Sequence, residues 1–492
     1  MSKKIIIIGA GIAGLTAGIF AQQNGFESII YEKHFLSGGE CTGWNREGFH
    51  IDGCIHWLLG TKKGTEIYDL WKNIGGLGEN IKVYNSDIIV QVEYQNQEII
   101  LYRNIEKFKK ELLSISPEDN EKIDEMCFYI KRFFGFEPPI EKPFDMMNLK
   151  ELIKMGIKMK DIGKLMKKLN KISIKEYVEG FKNSGIKLAL TSFVHDYYSA
   201  SILFFSLAAL MSGNGGFPEK GSLEFSKRIE KRYLELGGKI QFSSEGEEIL
   251  IEKNTAKGIR LKNGDNVYAD YIIPSCDINF LFKNLLNGKY IDKKIHNMFN
   301  NPEIYPINSC VYISYGIEKD LSNFPKNMVF EIEKTSFENK IIDSISLKNY
   351  SYEPNFAPLG STVVIVYLSA NYDWWKEKSK NYEEYNLEKK RISESTKKSI
   401  EKKFPELKNK IKVLDVATPL TYERFCNAYK GSWMSFGKTP RGKEFYHNGK
   451  IKGINNLFLA GQWLISSGGL PAAAMSGKWA IQRIINNRQR GL

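Results

Sequence analysis

The stretch KKIIIIGAGIAGLTAGIFAQQNGFESIIYEK (3–33) leaves the chain few folds to choose from. Ile5 to Ile8 form a continuous apolar run, which predicts a strand buried on both faces of a parallel sheet. Gly9, Gly11 and Gly14 follow at G-x-G-x-x-G spacing. The first permits a tight turn, the second lets the backbone approach a pyrophosphate, and the third packs a helix onto the strand. The N-terminus of that helix then receives the phosphate charge. A second strand, ESIIYEK, ends in Glu32, eighteen residues after Gly14. An acid there accepts hydrogen bonds from an adenosine ribose and disfavours a 2′-phosphate, which leaves FAD or NAD and excludes NADP. Lys3, Lys4 and the apolar run also resemble a secretion signal, but such a signal has no use for three glycines at this spacing.

A chain of 492 residues exceeds one ordinary core and predicts two domains. With 42% hydrophobic and 26% charged residues it is neither disordered nor fibrous. The net charge of +13 is spread over a long chain and reads first as solubility. Six cysteines (41, 54, 127, 276, 310 and 426) show no framework spacing, which predicts free thiols and a cytoplasmic location. The apolar run ILFFSLAALM (202–211) is well short of the roughly 20 residues a membrane-spanning helix needs. Nucleic acid is not expected as a partner, because no helix-turn-helix, zinc finger or aromatic-basic signature is present.

FAD and NAD are separated by the next stretch. Gly38 and Gly39 follow Glu32 closely, and GWNREGFHIDG (43–53) then brings Asp52 and Gly53. With these residues the chain resembles the phytoene desaturase, carotenoid isomerase and retinol saturase group of flavoproteins. That group has E-K, a short spacer, G-G, about a dozen residues with an aromatic, and an acid followed by glycine. The resemblance returns in NNLFLAGQWLISSGGLPAAAMSGKWAIQRI (455–484), which predicts a strand ending at Gly461, a loop with Gly468, Gly469 and Pro471, and a helix from about Ala472. In that group this segment closes over the ribityl chain and ring of the flavin. A third match, residues 221–277, reads as a helix followed by strands and implies adenine contacts near Gly246. The chain departs from the group at Gly246, where valine is usual, and at Glu40, where the desaturase branch often has arginine. The resemblance implies a doubly wound Rossmann-like FAD-binding domain (1–75, 215–290 and 445–492) interleaved with a mixed α/β substrate domain (76–214 and 291–444).

Cys41, Cys54 and His56 raise the question of thiol or metal chemistry. Cys41 and Cys54 are separated by twelve residues, too far for one helical turn, and no second nucleotide motif for a disulfide reductase follows. The three side chains lack the C-x-x-C or H-x-x-x-H spacing of a zinc site, so no metal is expected. They read as packing groups along a flavin wall.

In NLKELIKMGIKMKDIGKLMKKLNKI (148–172), eight lysines stand against two acids, and the apolar residues fall mainly at helical spacings. Such a stripe suits the surface of an anionic membrane, and equally a helix with a solvated lysine face. The expected activity, implied by the resemblance, is FAD-dependent oxidoreduction at a carbon-carbon double bond of a polyene or other prenyl-type lipid: desaturation, saturation or isomerisation. The electron partner stays open. Asp52, His56 and Trp57 are candidates beside the flavin, and His195 in the substrate cavity. The alternatives are a flavin amine oxidase and a non-catalytic prenyl-lipid carrier of the GDI type.

Overall fold

The computed structural model describes residues 2–192 and 194–489. Lys4–Ile8 lies inside a four-stranded parallel sheet, in the order Lys239–Gln241, Glu27–Tyr31, Lys4–Ile8, Tyr271–Pro274. Ile5 to Ile8 are all buried, as a strand covered on both faces requires. Helix Ile12–Gln23 runs back over the sheet between helices Gly221–Glu235 and Gly469–Gln489. A Cβ on Gly477 would lie 2.3 Å from Ala13 O, so the first and last helices meet backbone to backbone. The closing helix starts at Gly469, ahead of the expected Ala472. The strand expected to end at Gly461 is reduced to isolated bridges, among them Leu457 with Ile272. An antiparallel meander, Gly246–Glu252, Thr255–Leu261 and Asn266–Tyr268, adjoins this sheet.

A seven-stranded sheet stands apart from the first, in the order Ile411–Ala417, Ser309–Ile317, Thr362–Ala370, Lys340–Asn349, Asn327–Phe337, Ile88–Tyr94, Gln97–Tyr102. Ile88–Tyr94 pairs with Asn327–Phe337 in parallel, so two regions far apart in sequence share one sheet. The run 202–211 forms helix Ala200–Met211, buried in a helical core. Among the described residues no helix is long and apolar enough to cross a membrane.

The lysine-rich stretch is two helices, Leu149–Lys158 and Lys160–Leu169, meeting at Met159. Its apolar stripe divides between them. Ile162, Leu165, Met166 and Leu169 pack into the helical core, whereas Leu149 (73% exposed), Ile153 (54%) and Ile157 (71%) face outward among Lys150, Lys154 and Lys158.

Candidate active site

The glycine turn between the first strand and first helix divides its three glycines by role. Gly9 adopts φ +103°, and its N–H donates to Tyr31 O at 2.8 Å. A Cβ on Gly14 would lie 2.0 Å from Gly9 O, so helix and strand require that glycine for contact. A Cβ on Gly11 would meet only Gly38 O, at 4.0 Å. Protein packing does not demand glycine there, whereas a cofactor backbone in close approach does. The same openness holds at Gly39, Gly461 and Gly469, where the nearest atoms are Gly11 Cα at 3.4 Å, Cys276 O at 3.8 Å and Met434 Cε at 3.8 Å. The first helix begins at Ile12 with no side-chain cap, leaving its N–H groups for an anion. A dinucleotide fits this border.

Glu32 is aimed at the turn by two backbone donors: Ala10 N donates to its Oε2 at 2.6 Å and His34 N to its Oε1 at 2.8 Å. Burial pushes the carboxyl up from its ordinary range, and these bonds pull it back. Gly38 (φ +109°) donates from its N–H to Ala10 O at 2.8 Å and so ties the two glycine turns together. Gly468 packs tightly, since a Cβ would lie 2.8 Å from both Gln462 Oε1 and Ser435 Oγ. Pro471 stands in the first turn of the closing helix, where its missing N–H costs no intrahelical bond. Gly246 opens the meander, and a Cβ there would meet Ile8 Cγ2 at 3.5 Å, an ordinary contact. Its packing therefore makes no demand for glycine.

The catalytic candidates fall into two places. Strands Gly43–Arg46 and Phe49–Asp52 form a hairpin, and Asp52, His56 and Trp57 lie at its end or just beyond. Asp52 is fully buried and spoken for: Ser222 N donates to its Oδ2 at 2.6 Å, while Ser222 Oγ and Cys54 N donate to its Oδ1 at 2.7 and 3.2 Å. It ties the hairpin to the first turn of helix Gly221–Glu235. Trp57 packs over Gly215. His56 is exposed, yet burial pushes its imidazole down to about 3, with the Lys348 charge adding to the effect. Both hold for a side chain facing an interior cleft, and Tyr312 and Tyr367 flank it with ring centroids at 6.3 and 5.0 Å. His195 sits in another aromatic cluster, stacked on Tyr197 at 5.2 Å and near Trp433 at 6.3 Å, with Asn308 hydrogen-bonded to both Tyr197 and Tyr198.

The hairpin also brings the two thiols together, which their separation in sequence did not suggest. Gly43 pairs with Asp52, and Gly53 N donates to Thr42 O at 2.9 Å, so one step further along the register Cys41 faces Cys54. Sequence separation alone could not anticipate this, because a hairpin joins residues that no helical turn can. The pair is nevertheless poorly suited to thiolate chemistry. A hydrogen bond with the Cys41 thiol, and then burial, push the Cys54 thiol well above its ordinary range. Cys41 is 1% exposed. The double variant Cys41→Ser, Cys54→Ser is expected to keep its flavin and most of its turnover, read by anaerobic single-turnover flavin spectra. A loss of several orders of magnitude with flavin still bound would make the pair redox-active.

Three polar groups of the site escaped the sequence reading. Lys348, buried, donates from Nζ to His56 O at 2.7 Å and lies over the rings of Phe217 and Tyr350 at 5.2 and 5.0 Å. Burial pushes it down to about 7. Its one sequence signal is a lone charge inside SISLKNYSY (344–352). Gln462 donates from Nε2 to Glu40 Oε2 at 3.2 Å while its Oε1 accepts from Gly469 N at 2.9 Å, and so bridges the front turn and the C-terminal loop. Asp277, close to Glu40, accepts from the N–H groups of Asn279, Phe280 and Tyr429 and is pushed up to about 6 by burial.

Among proteins similar to this chain is the chloroplastic prolycopene isomerase of Daucus carota, 22% identical over 97% of this chain and 79% of its own length. The 4,4′-diapophytoene desaturase of Methylomonas sp is 24% identical, covering 99% of this chain and 96% of that protein. An oxidoreductase from Methanosarcina mazei shares the fold, with a TM-score of 0.63 at 16% identity over 97% of this chain and 100% of its own. Residues 12–485 match the model of the flavin containing amine oxidoreductases, and a glycine border shaped for a dinucleotide makes the flavin FAD: the chain belongs to that family of enzymes.

Proposed function

We propose that the protein is an FAD-dependent oxidoreductase acting at a carbon-carbon double bond of a polyene or other prenyl-type lipid. The observation that carries this reading is the aromatic and thiol surrounding of His56, whose ring is flanked by those of Tyr312 and Tyr367 and whose neighbours are held out of their charged forms. Burial keeps the phenols of Tyr312, Tyr350 and Tyr422 well above their ordinary range, pushes the Cys310 thiol up to about 12, and keeps His56 neutral. Neutral aromatic and thiol groups around His56 suit an apolar chain and exclude water from hydride exchange. Bound FAD supplies that hydride exchange. The protein's own part is to bind and orient: Gly9, Gly11, Gly14, Gly38, Gly39 and Glu32 hold the dinucleotide, and Gly461, Gly468, Gly469 and Pro471 close over it. His56 lines the substrate end as a neutral imidazole, its backbone held by Lys348. The relatives named for prolycopene and diapophytoene support the polyene class. We assign the cofactor unit to 1–75, 215–290 and 445–492 and the substrate unit to 76–214 and 291–444. The test is incubation of oxidised and dithionite-reduced holoprotein with polyenes, followed by mass analysis. Gain or loss of two hydrogens identifies a saturase or desaturase, and a product of equal mass identifies an isomerase. Flavin reduction by putrescine with no response to any polyene would replace this reading with an amine oxidase.

A lipid substrate calls for contact with a membrane. The outward face of helix Leu149–Lys158, with Leu149, Ile153 and Ile157 among lysines, fits an anionic bilayer surface. Flotation with anionic vesicles is expected for the wild type, falling with salt, and is expected to be lost in Ile153→Asp, Ile157→Asp. Equal flotation of both proteins would assign the lysine face to solvent.

A further inference from the structure

We propose that Glu40 acts as a neutral carboxylic acid that donates its proton in a hydrogen bond to a phosphate oxygen of the bound dinucleotide, so that FAD is held only while Glu40 keeps that proton. The inference rests on the reading that the dinucleotide crosses Gly11 and the Gly461–Gly469 loop.

Position is the first support. Glu40 follows Gly39, whose added Cβ would lie 3.4 Å from Gly11 Cα, and Gly11 bridges Gly38. The side chain thus starts beside the turn where a pyrophosphate approaches. Its far end is fixed by Gln462, whose amide orientation is set in turn by Gly469 N. One oxygen, Oε2, is therefore used, while Oε1 makes no hydrogen bond to protein among the described residues, and the residue is only partly buried.

The surroundings are the second support. From the turn at 275–280 Glu40 meets Asp277, a second acid already committed to three backbone N–H groups. Cys54 at the hairpin end, Cys310 on strand Ser309–Ile317, and Tyr422 and Cys426 on helix Pro419–Cys426 also feel its charge. None of these is a base. The nearby Lys33 is turned to Arg424 O and Asn427 Oδ1. With no cation to pair it among the described residues, the carboxyl is pushed up to about 8, by burial first and by Asp277 second. An ionised carboxylate would repel a pyrophosphate at this turn, whereas the protonated acid offers a donor.

The sign follows from the proton. Binding of an anion that requires the protonated acid is undiminished below about 8 and falls about tenfold for each pH unit above it. The experiment is equilibrium dialysis of the holoprotein between pH 6 and pH 9.5 with FAD and, separately, with riboflavin, for wild type, Glu40→Gln and Gly11→Val. Wild type is expected to lose FAD affinity above pH 8, while Glu40→Gln, whose amide donates at every pH, keeps a flat profile. Riboflavin, which has no phosphate, is expected to bind with a flat profile in both proteins. Parallel FAD profiles for wild type and Glu40→Gln would overturn the proposal, and so would a riboflavin profile falling like that of FAD. Should Glu40→Gln fail to fold, the comparison of FAD with riboflavin on wild type decides alone. Undiminished FAD binding by Gly11→Val would instead sink the placement of the dinucleotide.

Discussion

Gly11→Val is expected to purify as a folded, colourless protein retaining less than about a tenth of the wild-type FAD. The first reason is space: an added Cβ at Gly11 meets nothing nearer than Gly38 O at 4.0 Å, so the chain itself tolerates a side chain there. The second is that the middle glycine of a G-x-G-x-x-G turn is where a dinucleotide's phosphates come closest to backbone. Gly14→Val is the contrasting variant, because its Cβ would stand 2.0 Å from Gly9 O and force helix and strand apart. It is expected to lose the fold along with the flavin. Circular dichroism and flavin absorbance on the two variants separate the roles, and stoichiometric FAD in Gly11→Val would remove this turn from the site.

Asp52→Ala is expected to lower stability by about 3 to 5 kcal/mol, because it leaves buried donors without an acceptor. The donors are Ser222 N, Ser222 Oγ and Cys54 N. Urea unfolding against wild type measures the effect. Asp52→Asn keeps one acceptor oxygen and is expected to cost less. Unchanged unfolding with abolished turnover would make Asp52 a group of the chemistry and not a tie between hairpin and helix.

Much of the cofactor half was legible in the residues because local rules write it there. Four consecutive isoleucines have one common solution, a strand covered on both faces, and three glycines at fixed spacing serve a turn, a close approach and a packing contact. The thiols show where such reading stops. Cys41 and Cys54 look remote until the register of a hairpin sets them opposite each other, where Cys41 is buried and the Cys54 thiol is held well above its ordinary range. The lysine-rich stretch is a similar case, since one continuous stripe in sequence is half core and half surface in space.

The sequence by itself determined the parallel sheet, its glycine turn and the acid at its second strand, since each depends on neighbours within a few residues or on one helix and one strand. Only the tertiary structure decided what stands around the cleft. Glu40 meets Gln462, Lys348 meets the backbone of His56, and Asp52 meets Ser222. Each pair joins residues at least 170 positions apart. Their charge states follow from desolvation and from the missing or present counter-charge, which are properties of the packed interior and of no single segment of chain.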